Sequence, residues 1–409
     1  MFGNYEQLLL VKNYTSIGDS FMKNFVRLSE VCTISASKAY IEEEDAWLLN
    51  LDKVESKTGR VLEHEVVPKE KLNGSIVQFD TGNVLYSKLR PNLNKVVLPE
   101  KNGYATSEML PLRPCESKLT KGYLAEYLRS DNFVSWAVGK TAGAKMPRLG
   151  TKVLMDKMIP LPPLEEQHKI VSLFSVVNHV ISLRQQQLAK LDELVKARFV
   201  EMFGDPFLNL MNWNKIKIAN AVTVEPQNGM YKPQSNYVTD GTGTPILRID
   251  SFYDGEVTDF SLLKRLVCNE EEKQKYALRE DDIIINRVNS IEYLGKCARI
   301  TGLKEETVYE SNMMRMHFDS KRFNPIYIIQ LLCSQFIYRQ IVNHAKKAVN
   351  QASINQKDVL DFDIYEPPIE LQNTFGGFVK QTEQLKLPIQ KSIEQMETLK
   401  KALMQQYFG

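Results

Sequence analysis

One stretch of the chain carries apolar side chains at the spacing of a helix seam. From Pro162 to Gly204 they fall at Ile170, Phe174, Val177, Ile181, Leu188, Leu191 and Val195. The steps of four, three, four, seven, three and four residues make a heptad stripe, with Arg184 as its one polar member. Pro162-Pro163 cannot lie inside a helix, but proline suits a first helical position and Glu165 suits a first turn. The pattern predicts a helix that begins near Leu164 and stops at Gly204, with Asp205-Pro206 beyond it. About 40 helical residues rising roughly 1.5 Å each give a rod near 60 Å, longer than a small domain needs.

The stretch returns. Pro367 to Gly409 has the same 43-residue length at an offset of 205, with no gap. Pro162-Pro163 matches Pro367-Pro368, Glu165 matches Glu370, Gln167 matches Gln372, and Phe203-Gly204 matches Phe408-Gly409. The second helix should begin near Ile369 and carry its seam through Ile393, Met396 and Leu399. Pro388 stands where Leu183 stands in the first copy, and it predicts a kink or a restart.

Ahead of each copy the pattern shortens to strands. In the first block these are Phe25–Leu28, Trp47–Leu51, Gly74–Phe79, the first half of Gly82–Lys95, and Tyr104–Leu112. Helical spacing follows over Gly122–Val138, then a loop over Lys140–Gly150, then a strand over Val153–Leu161. Met1–Ser20 receives no assignment. The second block repeats this order loosely. Asp281–Arg287 parallels Gly82–Lys88, Tyr309–Met313 parallels Tyr104–Met109, Tyr327–Phe336 parallels the helix, and Ala345–Asn355 parallels the loop. The expected fold is mixed α/β (α+β), with globules over residues 1–161 and 205–366 and long helices over 162–204 and 367–409. Pairing of the rods as an antiparallel coiled coil would give a pseudo-twofold object. Its two globules would suit a duplex with half-sites more than one helical turn apart.

Composition narrows the class. At 409 residues, 43% hydrophobic and 25% charged, the chain is ordinary for a soluble protein of two to three domains. A net charge of +2 selects no partner. Cys32, Cys115, Cys268, Cys297 and Cys333 are scattered, with no C-x-x-C, which argues for a reducing cytoplasm and against a structural zinc site. Leu8–Val11 is too short for a signal core, and no apolar run approaches a membrane span. No phosphate-gripping loop, dinucleotide fingerprint, H-E-x-x-H or G-x-S-x-G occurs, and the five histidines form no cluster. Tyr365–Ile369 resembles an adenine-methyltransferase loop only superficially, since the same Pro-Pro opens a helix at Pro162. Ser107-Glu108 reads as a strand-end hydrogen-bonding pair rather than as a nucleophile.

The whole pattern resembles the specificity subunit of a type I restriction-modification enzyme. The residues that carry it are Ile159–Gln167, Gln187-Leu188, Leu191–Leu194, Met202–Pro206, Gly82–Pro91 and Trp213, and the resemblance covers about residues 25 to 409. It implies two target recognition domains alternating with two conserved helices, and a non-catalytic chain that recognises a bipartite double-stranded DNA target. It further implies two methylase subunits docked on the helices and optional restriction subunits. S-adenosylmethionine, ATP and Mg²⁺ would then belong to those partners, and this chain would hold no cofactor of its own.

Candidate DNA contacts are basic or amide residues in loops at strand and helix ends. In the first globule they are Lys88, Arg90, Asn92, Lys145 and Arg148. In the second they are Lys232, Arg248, Arg287, Asn289, Lys346, Lys347, Asn350 and Gln351. Arginine suits guanine edges, and asparagine and glutamine suit adenine. The bland reading of each is a solvated surface group. From Lys215 to Glu366 the chain carries 20 basic and 21 acidic residues, so affinity must come from local patches or from partners. Two rivals stand beside this reading. One is a protein-binding scaffold, which DNA footprinting with partners present separates. The other is an autonomous methylase or nuclease, which the missing motifs disfavour.

Overall fold

The computed structural model describes residues 24–36, 44–72, 75–143, 145–253, 255–257, 259–349 and 351–409. Met1–Ser20, Gly74 and Asn350 lie outside them. Two compact units divide the chain, one comprising residues up to 186 together with 390–409 and the other 187–389.

In the first unit, one four-stranded antiparallel sheet runs Cys32–Ile34, Met109–Pro114, Val84–Ser87, Val96–Val97. A second runs Glu65–Pro68, Asp45–Leu49, Gly103–Thr106, Ile76–Phe79. Val84 to Ser87 are buried throughout, which is why the run reads as continuously apolar rather than alternating. Helices Lys121–Arg129 and Asp131–Gly139 cover the first sheet's core. The segment Gly122–Val138 is thus two helices, not one. Ser130 divides them: its hydroxyl donates to the Tyr127 carbonyl at 2.7 Å and accepts from the Phe133 N–H at 3.3 Å, ending one helix while capping the next.

Two further expectations change. Tyr104–Leu112 is two strands broken by a turn at Ser107-Glu108. Val153–Leu161 begins as the end of a short helix, Thr151–Met155, before the strand Met158–Pro160. Within that helix only Leu154 is buried, so the apolar run Val153–Met155 does not have a strand's two faces.

The second unit repeats the plan with other residues. Its main sheet is six-stranded, in the order Val222–Asn228, Met313–Phe318, Ile283–Asn286, Cys297–Arg299, Gly255–Val257, Phe252–Tyr253. A four-stranded sheet runs Tyr237–Val238, Lys264–Leu266, Thr244–Leu247, Val308–Tyr309. The segment Tyr327–Phe336 is again two helices, Pro325–Leu332 and Gln335–His344, with Ser334 capping the second. Each globule closes on a short antiparallel pair just before its long helix: Phe25–Arg27 with Met158–Pro160, and Asn214–Lys217 with Asp363–Glu366.

The long helices span Leu164–Phe203 and Ile369–Phe408, 40 residues each. Gly204, at φ 78°, ends the first in the left-handed conformation that glycine accepts readily. Pro388 does not restart the second, which runs unbroken through it. The ring lies on an exposed face, where only the Gln384 carbonyl loses its helical donor. Within the first unit, Ile170, Phe174 and Val177 bury against Leu403, Met404 and Phe408, and the Phe174 and Phe408 rings stack at 6.0 Å. Within the second, Val195, Phe199 and Phe203 bury with Phe375, the Phe199 and Phe375 rings meeting edge-on at 5.5 Å. In each unit the early part of one long helix therefore packs against the late part of the other, an antiparallel pairing. Ile181, Leu188, Leu191, Ile393, Met396 and Leu399 are half-buried. The deeply buried anchors Leu173, Phe199, Phe203, Leu403, Met404 and Phe408 lie outside the stripe read from the sequence.

The repeated glutamine has a structural task in both copies. Gln167 accepts from the Thr120 N–H at 2.9 Å and donates to the carbonyls of Lys118 at 2.8 Å and Pro162 at 2.9 Å. Gln372 accepts from the Asn324 N–H at 2.9 Å and donates to the carbonyls of Arg322 at 3.0 Å and Pro367 at 2.8 Å. Both side chains are fully buried, and each ties the first turn of a long helix to the loop that opens its globule's helix pair.

Candidate nucleic-acid interface

Three pieces of chain meet in the same way in each globule. The first is the extended segment that leaves the buried central strand: Lys88–Arg90 in one unit, Arg287–Asn289 in the other. The second is the turn between two strands of the neighbouring sheets. The Lys88 N–H donates to the Glu108 carbonyl at 3.0 Å, and the Arg287 N–H to the Asn312 carbonyl at 2.8 Å. The third is a short hairpin after the helix pair, Thr141-Ala142 with Arg148-Leu149, and Lys346-Lys347 with Ala352-Ser353. The Leu149 N–H donates to the Lys88 carbonyl at 2.9 Å, as the Ile354 N–H does to that of Arg287 at 3.0 Å. The loops over Lys140–Gly150 and Ala345–Asn355 are therefore hairpins that extend a strand, and the low sequence identity of the globules hides a common construction.

In the first unit this construction gathers Lys88, Arg90 and Arg148. Arg148 Nε donates to Glu108 Oε1 at 3.0 Å, and Lys88 Nζ stands 4.0 Å from Oε2 of the same carboxylate. Arg90 is exposed. Its backbone is left-handed at φ 49°, and its N–H donates to the Pro147 carbonyl at 2.8 Å, which ties it to the hairpin. Asn92 is exposed in the turn that follows, and Lys145 is exposed at the hairpin tip.

In the second unit, Asn289 pairs with Ala352 in a three-stranded sheet whose outer strand is Lys346-Lys347, both fully in solvent reach. Gln351 is exposed, and its carbonyl closes the hairpin on the Ala348 N–H at 2.7 Å. Arg287 Nη1 donates to the Ser311 carbonyl at 3.1 Å. On the far side of that turn, Arg248 Nη1 donates to the Tyr237 hydroxyl at 3.3 Å, with Glu310 and Asp250 nearby. Burial opposes the Arg248 charge, but Glu310, Tyr237 and Asp250 outweigh it and hold its pKa above the usual arginine value. Lys232 is engaged by a different carboxylate. It pairs with Glu272 at 2.6 Å, and that hydrogen bond holds the Glu272 carboxyl below the usual range.

The acidic members, Glu108 and Glu310, are what reading for basic residues passes over. Glu108 was visible only as a strand-end acid. No group of three or more potential metal ligands occurs among the described residues, and no described helix is long and apolar enough to cross a membrane.

Residues 22–193 match the family model described as the type I restriction modification DNA specificity domain. That is a domain of DNA specificity rather than a catalytic one. The chain is 25% identical over 185 residues to the type I restriction enzyme EcoDI specificity subunit of Escherichia coli, an alignment covering 44% of this chain and 41% of that one. The chain thus spans about four tenths of that relative's length. It is 23% identical to the MjaVIII specificity subunit of Methanocaldococcus jannaschii, over 86% of this chain and 82% of that one. The fold resembles the crystal structure of a type I restriction-modification S subunit from M. genitalium, with a TM-score of 0.57, 14% identity, and coverage of 96% and 98%. With its paired globule plan and its repeated long helices, the chain is similar to type I restriction-modification specificity subunits, and residues 22–193 match their DNA specificity domain.

Proposed function

We propose that this chain is the DNA-reading subunit of a type I restriction-modification complex, with one half of a bipartite target read by each globule. The observation that carries the reading is the recurrence of one construction, segment, turn and hairpin, with basic and amide side chains on it in both units. The residues differ between units, as two readers of different half-sites require.

The long helices supply the frame. Their seams are half-buried over Ile181–Leu191 and Ile393–Leu399, which leaves apolar surface for helices of two methylase subunits. Restriction subunits would join through that assembly. S-adenosylmethionine, ATP and Mg²⁺ belong to the partners in this reading, which places the complex in the prokaryotic cytoplasm. Native mass spectrometry after co-expression with the cognate methylase tests the assembly. One copy of this chain with two methylases is expected. A chain that stays free, while binding other proteins through its globules, would favour the scaffold instead.

A further inference from the structure

Arg148 is held at both nitrogens of its side-on edge. Nε donates to Glu108 Oε1 at 3.0 Å and to Oε2 at 3.3 Å, and Nη2 lies 3.0 Å from Oε1. Its backbone is fixed as well, because Arg148 bridges Leu89 and the adjacent Leu149 N–H donates to the Lys88 carbonyl at 2.9 Å. Glu108 sits in a two-residue turn between strands Gly103–Thr106 and Met109–Pro114, and its carbonyl is held by the Lys88 N–H. The backbones that carry the carboxylate and the guanidinium are therefore both anchored on the Lys88-Leu89 segment.

A guanidinium has two bidentate edges, one through Nε and one through the two Nη atoms. The first is spent on Glu108. Nη1 makes no hydrogen bond among the described residues, and the side chain is 44% exposed. The outward edge matches O6 and N7 of guanine.

Building on the DNA-reading function proposed above, we infer that Glu108 is a positioning residue. It holds Arg148 as a fixed bidentate donor to a guanine and so sets the identity of one base pair in one half of the target. The second unit lacks the device. Asn312 occupies the place of Glu108 and Ser353 that of Arg148, as the equivalent backbone hydrogen bonds and strand register show. The effect is therefore confined to the half-site read by the first unit.

The test is sequencing of methylated sites in cells carrying the assembled methylase with wild-type chain, with Glu108→Gln, or with Arg148→Lys. Wild type should give a strict bipartite motif. Glu108→Gln should relax one G·C position in one half, with discrimination falling about tenfold or more, and leave the other half strict. Arg148→Lys keeps the charge and loses the fork, so it should relax the same position, and it decides the matter if Glu108→Gln fails to fold. Affinity for non-specific duplex should hold or rise in Glu108→Gln, because a negative charge is removed. A wild-type motif that stays equally strict in both variants overturns the positioning role and leaves the DNA reading standing. Uniform loss of binding to all sequences by a folded Glu108→Gln overturns it too. A wild-type complex that methylates no motif removes the DNA reading and this inference with it.

Discussion

Gln167 and Gln372 are fully buried side chains that each hydrogen-bond three backbone groups, the same task in both copies. Truncation to alanine would strand one N–H and two carbonyls in a dry junction. Gln167→Ala or Gln372→Ala should each cost about 2–3 kcal/mol, measured by denaturant unfolding, and a cost below about 0.5 kcal/mol would show that water replaces the amide. Lys346 and Lys347 are a different kind of residue. Both are exposed on the edge of a hairpin and have no structural task to lose. Lys346→Glu with Lys347→Glu should leave folding intact, weaken duplex binding by the assembled methylase and lower its salt slope by about two, one per phosphate contact. Unchanged binding across a salt titration would remove this patch from the interface.

At the scale of elements, the long helices were the most legible part of the chain. Their starts at Leu164 and Ile369 followed from Pro-Pro, and the first one's stop from Gly204, because caps are local chemistry. The seam was legible where the heptad was strict, at Ile170, Phe174 and Val177. It was lost where aromatic anchors from the globules join it, since Phe199 stacks on Tyr327 at 5.7 Å and Phe408 tilts on Tyr123 at 5.4 Å. Those contacts are tertiary and leave no period in the sequence. The breaks at Ser130 and Ser334 were missed for a related reason. Apolar spacing continues across each serine, and the serine hydroxyl's hydrogen bond to the next helix's first turn marks the new start. Leu191 sits between these regimes, half-buried and outside every buried cluster. Leu191→Asp should abolish co-purification with the methylase more than it lowers the melting temperature. Normal co-purification would move the docking surface off this stripe.

For the whole molecule, the basic candidates were legible by type but not by company. Sequence order separates Lys88 from Arg148 and Asn289 from Lys347, and only strand register brings each pair to one edge. Lys232 shows the limit of reading by charge, because its partner is the capping-box residue Glu272. On the proposed reading, near-balanced charge over Lys215–Glu366 leaves DNA affinity to such local edges in an assembled complex rather than to the net field of the chain. On the proposed reading, two edges of one construction but different chemistry read two half-sites of different sequence. The most direct test is to map methylated bases across the genome of cells that express the cognate methylase with and without this chain. A single bipartite motif with two unlike halves, present only when the chain is present, is the expected result. Methylation that is absent, or that follows the same motif without the chain, would contradict its role as the reader of DNA sequence.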